Sequence, residues 1–139
     1  MKSYQDIAAL LLRLSLGAGF LSAVASRLNL WGSHSSGWNN FLQYTAQVNS
    51  FAPSRIIPAI AVVATFLEAS LGIMLLTGFK TQLAACIAAA LTLLFAAAMT
   101  YSYGIKEPLD YSVFAFSAGA FLLATLPSYR WSIDQLLNS

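Results

Sequence analysis

Four stretches of this chain are almost free of charge, and each is about as long as a bilayer is thick. Residues 81–105 and 111–129 contain no Asp, Glu, Lys or Arg. Residues 56–79 contain only Glu68, and residues 7–26 only Arg13. A hydrocarbon core of about 30 Å is crossed by roughly 20 helical residues. A backbone in lipid must satisfy its own hydrogen bonds, which leaves an α-helix as the natural form for such runs. Charged residues are 9% of the chain and hydrophobic residues 58%, against roughly 25% charged in a soluble domain. The expected fold is all-α: a four-transmembrane-helix bundle over residues 1–139, with helices at about 7–28, 56–77, 81–101 and 110–126.

The connections support this division. Asn29-Leu30-Trp31-Gly32 ends the first helix, and Trp31 suits the membrane interface. Residues 38–51 carry Trp38, Phe41, Leu42, Tyr44 and Val48 at roughly helical spacing. They predict a short amphipathic helix on the membrane surface, between the first two crossings. Pro58 fits the first turn of the second helix. The turn Gly78-Phe79-Lys80 is short enough to make helices two and three antiparallel neighbours. The third helix is rich in alanine, from Ala84 to Ala98, which predicts close packing in lipid. Ala115 and Gly119 form a small-xxx-small pair on the fourth, and Pro127 ends it. The tail, 128–139, predicts a further interfacial helix around Trp131. Lys2, the apolar run and Ala23-Val24-Ala25 resemble a cleavable leader, but Arg13 inside the run argues for a retained helix.

Composition removes several functions. One cysteine, Cys86, and one histidine, His34, allow no internal disulfide, no CxxC couple, no bis-histidine haem and no multi-Cys/His zinc site. No intrinsic cofactor is expected. No nucleophile–base pair stands out, so an autonomous enzyme is not expected. No basic cluster points to nucleic acid. Cys86 reads as packing among alanines and His34 as solvent-facing.

Arg13 and Glu68 are the residues most suggestive of a site. Charges within a bilayer usually pair and turn inward. Arg13 lies ~9 Å along the first helix and Glu68 ~15 Å from the same end of the second. Arg13, Gly17, Phe20, Val24 and Arg27 share one helical face. So do Ala61, Thr65, Glu68, Gly72 and Leu75. The expectation is an Arg13–Glu68 pair, either as a staple or as a ligand-binding pocket, with Arg13 reaching the headgroups alone as the alternative. Arg27 is expected at a headgroup or loop carboxylate, with Arg27–Asp110 as a candidate second polar pair. Lys2, Lys80 and Arg130 fall on one side and Arg27, Arg55 and Lys106 on the other. The positive-inside rule is therefore nearly balanced, and Arg13 tips it slightly towards internal termini.

Arg13, Gly17, Phe20 and Arg27, followed by Glu68-x-x-x-Gly72-x-x-Leu75-Leu76-x-Gly78-Phe79-Lys80-Thr81, resemble the DoxX family of small membrane proteins. The stretch Ile105-Lys106-x-Pro108-Leu109-Asp110-Tyr111-Ser112-Val113-Phe114 is similar to one subgroup of it. The resemblance runs from about Leu10 to Leu126. Where this chain has Arg27, the family often has lysine. The resemblance implies a four-helix protein of the bacterial or archaeal cytoplasmic membrane with cytoplasmic termini. The family takes its name from a subunit of a thiosulfate:quinone oxidoreductase, and other members are linked to membrane redox and thiol-stress complexes. Three readings stay open. One is a non-catalytic subunit or anchor of a redox complex, touching a quinone and receiving electrons from a soluble or membrane partner. Another is a small-molecule binding or transport protein, acting as a homo-oligomer. The third is an assembly factor without a ligand.

Overall fold

The computed structural model describes residues 3–138; Lys2 lies outside them. The chain is all-α. Its elements are α1 (Ser3–Arg27), α2 (Trp38–Val48), α3 (Ile57–Thr77), α4 (Thr81–Tyr103), α5 (Lys106–Asp110), α6 (Val113–Ala124) and α7 (Ile133–Leu137), with single 3-10 turns at Gly32–His34 and Ser54–Ile56. Three segments are long and apolar enough to cross a membrane: Ser3–Arg27, Ser54–Thr77 and Thr81–Tyr103. Their outer faces carry exposed Leu11, Val62, Phe66, Ile73, Leu83 and Leu94. Water would disfavour that surface, and lipid accepts it. The chain is a multi-pass, membrane-embedded helical protein.

Helices α1, α3, α4 and α6 pack in a ring in which α1 lies on α3, α3 on α4, α4 on α6 and α6 on α1. The α1–α3 contact is set by two glycines. A Cβ on Gly17 would lie 3.0 Å from the Gly72 carbonyl oxygen, and one on Gly72 would lie 3.1 Å from that of Gly17. The two backbones therefore touch at this level. The α4–α6 contact uses the alanines foreseen in the sequence. Ala84, Ala85, Ala88 and Ala96 are wholly buried, and Ser117 Oγ of α6 donates to the Ala89 carbonyl at 2.8 Å. The small face of α6 turned to α4 is not Ala115 and Gly119. Ala115 is exposed, while Gly119 faces Leu12 of α1. Cys86 also departs from expectation, since it is exposed on the outer side of α4.

The fourth apolar run is shorter than the sequence suggested. One helix over 110–126 is replaced by α5 and α6, separated by Tyr111 and Ser112, with Ser112 at φ +57°. Asp110 therefore closes α5 rather than opening the longer helix. Asp and Ser side chains compete with the helical backbone for hydrogen bonds, which favours a break at such a sequence. The 12 residues of α6 span ~18 Å.

Between α3 and α4, Gly78 takes the left-handed conformation (φ +73°), and its N–H donates to the Met74 carbonyl at 2.8 Å. The tail tucks beneath this turn. Asp134 accepts from the N–H groups of Lys80 (2.6 Å) and Thr81 (2.7 Å). It thereby caps the start of α4, where unpaired N–H groups favour a carboxylate. Its own N–H donates to the Gly78 carbonyl at 2.9 Å.

Candidate functional site: a buried Arg27–Glu68 pair beneath α2

Glu68 is 4% exposed and Arg27 9%. Arg27 Nη1 donates to Glu68 Oε2 in a buried salt bridge and to Thr65 Oγ1 at 3.0 Å. The Phe41 ring of α2 covers the guanidinium, with 3.8 Å between Cζ and the ring centroid. An aromatic face of this kind stabilises a cation and shields it from solvent. Three helices thus contribute: α1 the arginine, α3 the carboxylate and the hydroxyl, and α2 the aromatic cover.

The expected Arg13–Glu68 pair does not form. Arg13 is buried, but Nη2 donates to the Trp131 carbonyl at 2.7 Å and Nη1 to that of Arg130 at 3.3 Å. The glycine crossing explains the exchange. Glu68 lies ~6 Å from the Gly17–Gly72 level towards the C-terminus of α1, and Arg27 lies ~15 Å along in the same direction. Arg13 lies ~6 Å on the other side. Helical side chains also lean towards their own N-terminus. In this antiparallel pair, Arg27 and Glu68 lean towards each other, whereas Arg13 and Glu68 lean apart. Arg13 reaches instead for the tail, and Asp6 at the same end takes Arg130 at 3.4 Å.

The second expected pair, Arg27–Asp110, is also absent. Asp110 is exposed and bonds Lys106 one turn earlier in α5, while Arg27 is committed to Glu68. His34 is exposed.

Two cavities meet at Glu68. The larger, about 300 Å3, lies under α2 and is lined by Arg27, Phe41, Tyr44, Ala64, Glu68 and Met99 among others. The smaller, about 190 Å3, is lined by Gly19, Phe20, Glu68, Thr92, Phe95 and Phe116 among others. The Phe20 and Phe116 rings stand edge to face there, 5.1 Å apart. Phe95, Tyr111 and Val113 border both cavities. Glu68 Oε2 is taken by Arg27, and no hydrogen bond from a described residue engages Oε1. Burial pushes the Tyr44 phenol above its usual pKa, with Tyr103, Glu107 and Tyr111 adding to the shift. It is therefore a neutral hydroxyl at physiological pH. The arrangement offers a guanidinium, a carboxylate oxygen and a hydroxyl to a small group held between aromatic walls.

Sequence reasoning placed Thr65 on the face of Glu68 but gave it no role. It missed Phe41 and Tyr44 as cover, although both belong to the amphipathic run. Asp6 and Asp134 were also missed. The signal for the latter was Ser132-x-x-Gln135, a capping pattern in which Ser132 Oγ accepts from the Gln135 N–H at 3.1 Å.

A family model described as methylamine utilisation protein MauE matches residues 5–130. That family is part of the broader DoxX-like superfamily, so the likeness noted in the sequence holds at superfamily level rather than for DoxX itself. No curated protein and no solved structure gives a significant match.

Proposed function

The chain belongs to the MauE family, and on that footing we propose that it is a non-catalytic membrane subunit of a redox assembly, holding a small lipophilic ligand against Arg27 and Glu68. The family's description ties its members to methylamine utilisation; for this chain that becomes an accessory role in such a system. With one cysteine and one histidine in the sequence, electron carriage falls to a partner protein or to the bound molecule. In this reading α6, continued by α5, is the fourth crossing. Helix α2 lies at the membrane surface, and both termini face the cytoplasm.

The observation that carries the reading is the buried pair bordering two cavities under α2. A pair serving only as a staple needs no adjacent space, whereas ligand pockets start at about 300 Å3 and combine apolar walls with a few placed polar groups. A quinone ring fits that description: Arg27 and Tyr44 would donate to its carbonyls, and Phe41 and Phe95 would flank it. A bound quinone would supply the two-electron chemistry that the side chains lack.

The test is mass spectrometry of the lipophilic molecules that co-purify with the detergent-extracted protein. We expect one small compound near equimolar with the wild type and absent from a double Arg27→Gln, Glu68→Gln variant of equal helicity. An identical lipid profile for both proteins would overturn the reading.

A further inference from the structure

The space under α2 does not end at Glu68. Between α3 and α4 runs a third cavity of about 400 Å3, lined by Ile60, Val63, Leu67, Leu91, Leu94 and Ala98 among others. It shares Val48, Asn49, Ile60, Ala64 and Phe95 with the cavity that holds Arg27. Apart from Asn49, the residues lining it are apolar. Val63 is 57% exposed and Leu94 67%, so the trough opens along the side of the bundle, where the surroundings are hydrocarbon. The roof is fastened. Ser50 Oγ and Ser102 Oγ share a hydrogen bond of 2.8 Å, Ser102 Oγ also donates to the Val48 carbonyl, and Phe51 meets Tyr101 edge to face at 5.4 Å. The end of α2 is thus tied to the end of α4 over a trough that stays open along the side.

The charge of the pocket selects what can enter. Arg27 and Glu68 cancel. A head carrying its own charge would add an unbalanced ion to a low-dielectric site, where its lost hydration is not repaid. An uncharged head that can hydrogen bond avoids that cost. Resting on the pocket reading above, we propose that the ligand is an uncharged, single-chain amphiphile drawn from the bilayer. It enters sideways between α3 and α4, sets its head against Arg27 and Glu68, and lays its chain in the α3–α4 trough.

The experiment uses the full chain in lipid nanodiscs and three probes of equal chain length: monolaurin, laurate and dodecylamine. Monolaurin should bind at least about tenfold more tightly than either charged probe, a difference of ~1.4 kcal/mol. A photoreactive group at the end of its chain should label the walls of the trough, Val63 or Leu94. Ala98→Phe should weaken monolaurin binding severalfold, and Ala59→Phe, at an exposed position on the opposite wall, should do the same if the first variant folds poorly. Equal binding of laurate or dodecylamine would overturn the neutral-head assignment. Binding that depends on Glu68 but labels elsewhere and ignores both phenylalanines would overturn the lateral route while leaving the pocket in place. If no probe binds and the lipophile that co-purifies is charged or carries no single long chain, the ligand class is wrong and the pocket reading stands. If neither is found, both fall.

Discussion

Gly17 and Gly72 meet backbone to backbone where α1 crosses α3, and that contact fixes which arginine reaches Glu68. A methyl group on Gly17 would lie 2.9 Å from Leu76 Cγ and 3.0 Å from the Gly72 carbonyl oxygen. Gly17→Ala should therefore force the helices apart and destabilise the fold by about 1–3 kcal/mol. Gly19 is the control. Its added methyl meets only the edge of Phe116 at 3.4 Å, so Gly19→Ala should be neutral or stabilising by up to ~1 kcal/mol through helix propensity. Thermal unfolding in detergent, followed by circular dichroism, separates the two. Equal melting temperatures for both variants would show that the crossing is not tight.

The same geometry assigns the charge partner. Removing one member of a buried pair strands the other, at a cost of about 3–5 kcal/mol. Arg27→Gln and Glu68→Gln should each destabilise strongly, and the double variant should recover much of the loss. Arg13→Gln combined with Glu68→Gln should be additive within roughly 0.5 kcal/mol, as expected for groups without a shared contact. Two double-mutant cycles, read by denaturant unfolding in micelles, make the comparison. Strong coupling in the Arg13 cycle would contradict the Arg27–Glu68 assignment.

Much of this is readable from the residues alone. The long apolar runs point to α1, α3 and α4, because lipid forces a charge-free run of that length to be helical. The facing stripes of α1 and α3 are also visible, with Arg13 and Arg27 on one and Thr65 and Glu68 on the other. The choice between the two arginines is not visible. It depends on the crossing level at Gly17 and Gly72 and on the lean of each side chain, and a linear count of depth from the membrane edge contains neither. The break before Val113 is hidden because Tyr111 and Ser112 extend an uncharged run without belonging to the helix. Cys86 looks buried because its neighbours are alanines, but it lies on the face of α4 opposite Ala84 and Ala88.

Arg13 should behave as an anchor for the tail. Its guanidinium holds the carbonyls of Arg130 and Trp131, and Asp134 binds the start of α4 beside it. Arg13→Gln and Asp134→Ala should each free residues 128–138 without unfolding the bundle. Trypsin cleavage after Arg130, already exposed, should accelerate severalfold in both variants while cleavage after Arg27, at the end of α1 and buried in the bundle, stays unchanged. Gly78→Ala should act the same way, since a Cβ there would sit 2.3 Å from that of Ser132 at a φ of +73°. Unchanged cleavage after Arg130 in all three would mean that the tail is held by other contacts.

Tyr129 gives the tail a pH limit. Its hydroxyl donates to the Leu123 carbonyl at 2.7 Å. Burial raises the phenol above the ordinary tyrosine value of 10.0, and the charges of Asp134 and Cys86 push in the same direction. A phenol whose pKa is higher in the folded chain favours folding while it is protonated. That contribution is complete below the ordinary value and is lost as the pH climbs through the raised folded one. A phenolate could no longer donate to Leu123 and would face the Asp134 carboxylate. Ultraviolet difference titration of wild type against Tyr129→Phe should show one tyrosine ionising above pH 10.0. Cleavage after Arg130 should accelerate over that same interval in the wild type. In Tyr129→Phe, which lacks the hydrogen bond from the outset, it should be faster at neutral pH and show no such rise. A Tyr129 that ionises at or below the ordinary tyrosine value would mean that its hydroxyl stands in water and the tail is not docked on α6.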